Sequence, residues 1–233
     1  MPCTLPASLA DAAVCRGSFH AVLGGEAGEA VFADFSAALQ KAQAEGRILT
    51  ASLFRYENHL FFYAEGLNRP FTPQGLCPAL DAALLPWPPA LGEAAPRPWA
   101  AMQPYFYHDV PTTAADWQQG RCPQRRRGRI ALLPPDSWCS YMEHHLRIVT
   151  EGLVEGDRWH LICVQEGVLF SYLEEPRTNV NIKHRPGAHS PELDAWIAAD
   201  PESHFARFTP EQKAHPDSSH NFVFLPRIAG TED

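Results

Sequence analysis

The sequence predicts an α+β fold made of two tandem βαββαβ units, and three observations carry that prediction. The hexapeptide Leu60-Phe-Phe-Tyr-Ala-Glu65 recurs as Leu169-Phe-Ser-Tyr-Leu-Glu174. Each copy follows a helical segment and an apolar strand, and each precedes a proline-bearing arm and a closing strand. One such unit also leaves a sheet face open that must be hidden. Two units packed sheet to sheet would hide it within one chain, so the expectation is a ferredoxin-like pseudo-dimer that is a monomer in solution.

Residues 1–16 read as a lead-in without periodicity, and 17–111 as the N-terminal half. That half starts with a short strand at 18–23. Gly24, Gly25 and Gly28 then break the chain before a helix over 29–45, with Phe32, Phe35, Leu39 and Ala42 on one face and Gly46 as its stop. Strands follow at 48–56 and 60–65, joined by a turn at Glu57-Asn58. The stretch 68–98 is proline-rich, with a helical piece at 78–85, and 103–109 reads as another strand. Residues 112–128 read as a linker, and the basic cluster Arg125, Arg126, Arg127 and Arg129 as its solvated face or an anion site.

The C-terminal half, 129–228, repeats the order: strand 129–133, helix 137–151, strands 158–165 and 167–174, helix 193–199 and a last strand 221–226. Asp136 is a candidate N-cap and Gly152 a candidate stop for the first of these helices. Trp138, Tyr141, Met142, His145, Ile148 and Val149 form one stripe at helical spacing. Two of them, Tyr141 and His145, are polar yet aimed at the core, where polar groups need partners or a pocket. His144 is expected to face outward.

Bulk composition excludes several classes. With 19 basic against 27 acidic residues and a net charge of −8, no basic surface for nucleic acid is expected. No apolar run is long enough to span a membrane, and no secretory leader is visible. The six cysteines lack CxxC pairing, which fits a cytoplasmic protein with free thiols.

Residues 129–226 resemble the L-rhamnose mutarotase family, one of the dimeric α+β barrel proteins. The resemblance is carried by Tyr141-x-x-x-His145, Arg158-Trp-His-Leu-Ile, Leu169-Phe-Ser-Tyr-Leu-Glu174, the stretch from Ser190 to Trp196, and the ending His215-Pro-Asp-Ser-Ser-His-Asn-Phe-Val-Phe-Leu-Pro226. It implies a carbohydrate mutarotase or isomerase acting on a small-molecule ligand such as a monosaccharide, without metal or organic cofactor. Tyr141 would contact the substrate and His145 would be the general acid. Trp159 stands where the family has a tyrosine against the sugar. Where the family has a pair of tryptophans, residues 203–208 offer His204, Phe205 and Phe208. In the first half Phe32 or Phe35 aligns with Tyr141, and Ser36 or Leu39 with His145, so a single site is expected, in the second half.

Ring opening of a pyranose needs an acid at the ring oxygen and a base at the anomeric hydroxyl, and a histidine can serve either role. Trp159, Tyr172 and Phe205 would form aromatic walls. Glu174 reads either as a base or as a structural carboxylate like its counterpart Glu65, and Tyr172 pairs similarly with Tyr63. Asn179, Asn181 and His184 lie on a polar arm that could close over a ligand. His144 and His145 would hold a metal only if His160 or Cys163 converged on one of them. Two further functions stay open: a non-catalytic binding or scaffold protein, and a cofactor-independent oxygenase of electron-rich aromatics.

Overall fold

The computed structural model describes residues 6–179, 182–213 and 216–231; Cys3, Asn181 and His215 lie outside them. The chain divides into two compact units. Of the described residues, unit 1 takes 6–102, 111–123 and 226–231, and unit 2 takes 103–110 and those between 124 and 225.

Unit 1 runs β1 (Val14–Val22), α1 (Glu29–Ala44), β2 (Ile48–Tyr56), β3 (His59–Leu67), α2 (Pro78–Ala83), the first residues of β4 (Ala100–Tyr107) and α3 (Ala114–Gln118). Its strands pair antiparallel in the order β4-β1-β3-β2, that of a ferredoxin-like unit. α1 buries Phe32, Phe35, Leu39 and Ala42, the expected stripe, against Leu60, Phe62 and Ala64 of β3. β1 starts earlier than the sequence suggested. A 3-10 turn at Ala7–Leu9 precedes it, so the lead-in is partly structured.

Unit 2 repeats the plan with β5 (Arg125–Leu132), α4 (Pro135–Glu151), β6 (Val154–Glu155), β7 (Leu161–Gln165), β8 (Val168–Glu175), β9 (Lys183–His184), α5 (Pro191–Ala198) and β10 (Val223–Leu225). The order is β10-β5-β8-β7, with residues 103–107 of β4 added antiparallel on β7. After Pro226 the chain returns to unit 1, where β11 (Arg227–Gly230) pairs with β2. The sequence did not reveal that strand, because it merges with the preceding apolar run.

Several expectations need correction. Within 112–128, α3 and the start of β5 are regular structure, with Trp117 and Arg121 buried. The run looked solvated because its charges are adjacent, but a strand sends alternate side chains to opposite faces. Pro134, not Asp136, is the N-cap of α4; Asp136 sits in the first turn, where a carboxylate complements the helix dipole. Gly152 does stop α4, in the left-handed region at φ 68°. Trp138 is exposed, so the buried part of the stripe is Tyr141, His145 and Ile148. β7 begins at Leu161 because a turn, with His160 N–H donating to the Asp157 carbonyl, takes up the preceding residues.

Candidate active site

α1 and α4 bury matching stripes, Phe35, Leu39 and Ala42 in unit 1 and Tyr141, His145 and Ile148 in unit 2. That matching selects one of the open alignments: Tyr141 corresponds to Phe35 and His145 to Leu39. Strand register supplies their neighbours. Ser18 faces Tyr63 and Phe19 faces Phe62, while Gly128 faces Tyr172 and Arg129 faces Ser171. Four equivalent places are thus Phe19, Phe62, Phe35 and Leu39 in unit 1, and Arg129, Ser171, Tyr141 and His145 in unit 2. In unit 1 the rings fill the layer between helix and sheet, with centroids 6.3 Å apart for Phe19 and Phe62 and 5.7 Å for Phe35 and Phe62. In unit 2 a cavity of about 420 Å³ opens there. This is within the size range of small-molecule sites, about 300–1,000 Å³.

The cavity has an apolar, largely aromatic wall that includes Phe106, Ile162, Trp196, Phe205 and Phe222. Its polar groups include Arg129, Tyr141, His145, Asp157, Arg177 and Glu202. Both carboxylates among them are already engaged. Asp157 accepts from the Thr178 hydroxyl at 2.8 Å and from Arg177 Nε at 3.3 Å, tying the arm after β8 to the start of β7. The Glu202 carboxylate accepts from the side-chain amide of Asn221.

His145 is 4% exposed, and its Nδ1 lies 2.8 Å from the Tyr141 carbonyl one turn earlier. A carbonyl only accepts, so Nδ1 carries the proton and the lone pair of the neutral ring sits on Nε2. Burial lowers the pKa of this imidazole to about 4, although the bond to the Tyr141 carbonyl works the other way. Its ring meets Phe106 edge-on at 4.7 Å, Trp196 at 4.8 Å and Tyr105 at 5.6 Å. Burial pushes the Tyr141 phenol up to about 12, so it keeps its proton and can donate. Burial also lowers the Arg129 guanidinium to about 10, with the charge of Arg177 adding to the effect.

Of the residues expected from the sequence, Tyr141, His145 and Phe205 line the cavity together. Tyr172 and Glu174 do not. Leu169 and Ser171 of β8 face the cavity, and strand alternation sends Tyr172 and Glu174 to the opposite face. There the Tyr172 hydroxyl donates to Glu174 at 2.6 Å, and Arg126 pairs with Glu174 at 3.5 Å. Unit 1 repeats this arrangement: Glu65 accepts from Tyr63 at 2.7 Å, from Trp117 at 2.9 Å and from Arg121 at 2.7 and 3.0 Å. Trp159 and Phe208 are buried outside the cavity lining, and His204 packs behind it, 5.1 Å from Trp196 and 3.3 Å from the Ser140 hydroxyl. His144 is half-buried against Trp196 rather than outward. His184 and Asn179 do not reach the cavity lining.

Sequence reasoning missed Trp196, His108 and Phe106, and named Arg129 only within a basic cluster read as a solvated face or an anion site. A strand was expected over 129–133, but it begins at Arg125, and only the parity of the whole strand shows which of its arginines face the cavity. Trp196 carried a usable signal: Ser190 caps α5 by accepting from Leu193 N–H at 3.0 Å, and Leu193 and Trp196 are one turn apart on its buried face.

Among the described residues no group of three or more His, Cys, Asp or Glu is placed to hold a metal, and no helix is long and apolar enough to cross a membrane. The described cysteines are all free. A second concavity, about 680 Å³ in unit 1, is lined by Lys41, Glu45, Arg47 and Arg69 without histidine or tyrosine. It lacks the convergence of acid–base groups found in unit 2.

No protein family's sequence profile matches the chain, and no curated protein matches it. Solved structures align with it at low identity. A candidate monooxygenase from Lactobacillus acidophilus has 7% identity and a TM-score of 0.38, over 94% of this chain and 96% of that one. A candidate monooxygenase from Fusobacterium nucleatum has 10% identity and a TM-score of 0.41, over 94% of each chain. An anthrone oxidase-like protein has 7% identity and a TM-score of 0.37, over 92% of each chain. Likenesses of this size say nothing of chemistry.

Proposed function

We propose that unit 2 is the reactive half, that unit 1 supports it, and that the cavity takes a flat, electron-rich aromatic with an acidic proton. The observation that carries this reading is the neutral, tautomer-locked His145 among aromatic walls. With Nδ1–H held by the Tyr141 carbonyl, Nε2 is a base ready at neutral pH. Tyr141 keeps its proton and offers a hydrogen bond to the oxygen that gains charge. The aromatic wall suits a planar ring.

The reaction that fits is a cofactor-independent oxygenation. His145 Nε2 takes a proton from a methylene carbon beside the aromatic system. The carbanion gives its electrons to dioxygen, forming a hydroperoxide on that carbon. Loss of water then leaves a carbonyl, so one oxygen atom stays in the product and the other departs as water. The substrate supplies all the electrons. With 1,8-dihydroxyanthrone as probe, we expect protein-dependent oxygen uptake and quinone formation. His145→Ala should lower the rate about 10²–10⁴-fold, the usual contribution of a general base. Oxygen uptake equal in the variant and the parent would remove the role given to His145. A folded protein that the probe stabilises without turnover would favour the binding-protein reading instead.

A sugar mutarotase is the second reading, favoured by Tyr141 and His145 lining one cavity with Phe205. The roles would differ from those of the resembled family. At pH 7 a group of pKa about 4 is protonated about one time in a thousand. His145 would therefore be the base at the anomeric hydroxyl, and Tyr141 the donor to the ring oxygen. Saturation-transfer NMR on a panel of aldoses tests it; no acceleration of anomer exchange on any of them would end this reading.

A further inference from the structure

Arg129 stands apart from the other arginines near the unit 2 sheet. Arg125 and Arg127 pair with Glu175, Arg126 with Glu174, and Arg177 with Asp157. Arg129 has no ion pair among the described residues; its guanidinium lies over the Phe222 ring at 4.3 Å, and its buried Nε has no hydrogen-bond partner. Of the cavity carboxylates, Asp157 is held by Arg177 and Thr178. The charge of Glu202 acts on Arg129, but its carboxylate accepts from Asn221 and makes no ion pair with the guanidinium. The fold does not need a cation there either, because the equivalent place in unit 1 is Phe19. A buried cation without a counter-charge in contact is costly, and such groups normally find one.

We propose that Arg129 receives an oxyanion of the ligand, a carboxylate or an ionised phenol or enol oxygen, and so restricts the site to aromatics that carry one. The inference rests on the aromatic-ligand reading above and adds the ligand's charge and its orientation. Ser171, directly opposite Arg129 in the strand register, is placed to share the same oxygen. Phe222 keeps the guanidinium flat, leaving the remaining N–H groups for the anion.

Calorimetric titration with 2-naphthoate, its neutral isostere 2-naphthamide, and 1-naphthol tests this. In the parent protein naphthoate should bind at least tenfold tighter than the amide if the anion is a carboxylate. If the anion is a phenolate, 1-naphthol should bind best and tighten as pH rises toward its own ionisation. In either case Arg129→Met should weaken the preferred anion about 10–100-fold, as expected for a charge-assisted hydrogen bond, and leave the amide unchanged. Arg129→Lys should keep part of the preference.

Stability separates this role from a structural one. Without ligand, Arg129→Met should unfold at the same or a higher denaturant concentration than the parent. A large loss of stability would mean that the arginine supports the fold, and would overturn the proposal. So would equal binding of the anion and the amide, or no binding of any probe. If anion preference fails while oxygen uptake persists and depends on His145, only the Arg129 assignment falls. If the preference holds without oxygen uptake, the anion site stands and the oxygenase reading falls.

Discussion

Gly156 presents a bare Cα to the imidazole of His108, so close that a methyl group there would fall 2.0 Å from Cδ2 and Nε2 of that ring. His108 lines the unit 2 cavity and also a smaller outer pocket of about 270 Å³ with Tyr107, Ile148 and Arg185. Space, not backbone conformation, is what requires glycine here. Gly156→Ala should push the ring out of its place, cost about 1–3 kcal/mol as overpacking does, and weaken ligand binding. Denaturant unfolding and probe titration check it, and a variant unchanged in both would refute the contact.

The cavity should be fillable with the residues that unit 1 already uses. Replacing Arg129 and Ser171 together by phenylalanine copies the Phe19–Phe62 pair. Cavity filling of this kind commonly adds about 0.5–2 kcal/mol. The double variant is expected to gain stability and to lose all probe binding and turnover. Retained binding would show that the ligand sits elsewhere.

Glu65 is buried with its charge. Burial alone would raise its pKa, but the Arg121 guanidinium, with the charge of Arg16 and the Trp117 hydrogen bond, more than offsets this and holds it low. Arg121→Met strands the carboxylate and should destabilise the protein by about 3–5 kcal/mol, as breaking a buried pair does. Tyr172→Phe, on the matching cluster of unit 2, should reduce stability while leaving turnover intact, because Tyr172 lies on the face away from the cavity. Loss of turnover at unchanged stability would contradict that placement.

Acid should destabilise the protein in two windows. His145 and His108 are each lowered from about 6.5 to about 4, mainly by burial. Between those values the unfolded chain binds more protons, so stability is complete above about pH 6.5 and falls as pH drops toward 4. The His145 share is up to about 3 kcal/mol. Glu65, with a lowered folded pKa, adds a loss at still lower pH, as pH falls through its folded value. Unfolding midpoints at pH 7 and pH 5 should differ less in His145→Gln than in the parent. An identical difference would mean that His145 is not buried neutral.

Most of the scaffold is legible in the sequence. Phe35, Leu39 and Ala42 repeat at helical spacing, and the hexapeptide at Leu60 returns at Leu169, because packing constrains those positions by simple rules. Tyr141 and His145 stand out for the opposite reason, as polar residues on a buried stripe. What stays hidden depends on strand parity and on contacts between distant segments. Tyr172 and Glu174 look like site residues beside Ser171, yet alternation turns them away. Arg129 looks solvated beside Arg127, although its neighbours in space are Phe222 and Ser171. Trp196 lies between these cases: the Ser190 cap and the Leu193 spacing mark the buried face of α5, but not the turn of it that meets α4.

The hollow in unit 2 also implies that the two halves do not open together. Unit 1 closes its helix–sheet layer with Phe19, Phe35 and Phe62, whereas unit 2 leaves the same layer partly empty and puts Arg129 and an uncharged histidine at the matching places. Fewer apolar contacts mean a smaller free energy of local opening. Amide hydrogens of β8 and α4 should therefore exchange with solvent sooner than those of β3 and α1, and a bound ligand should slow the first pair while leaving the second untouched.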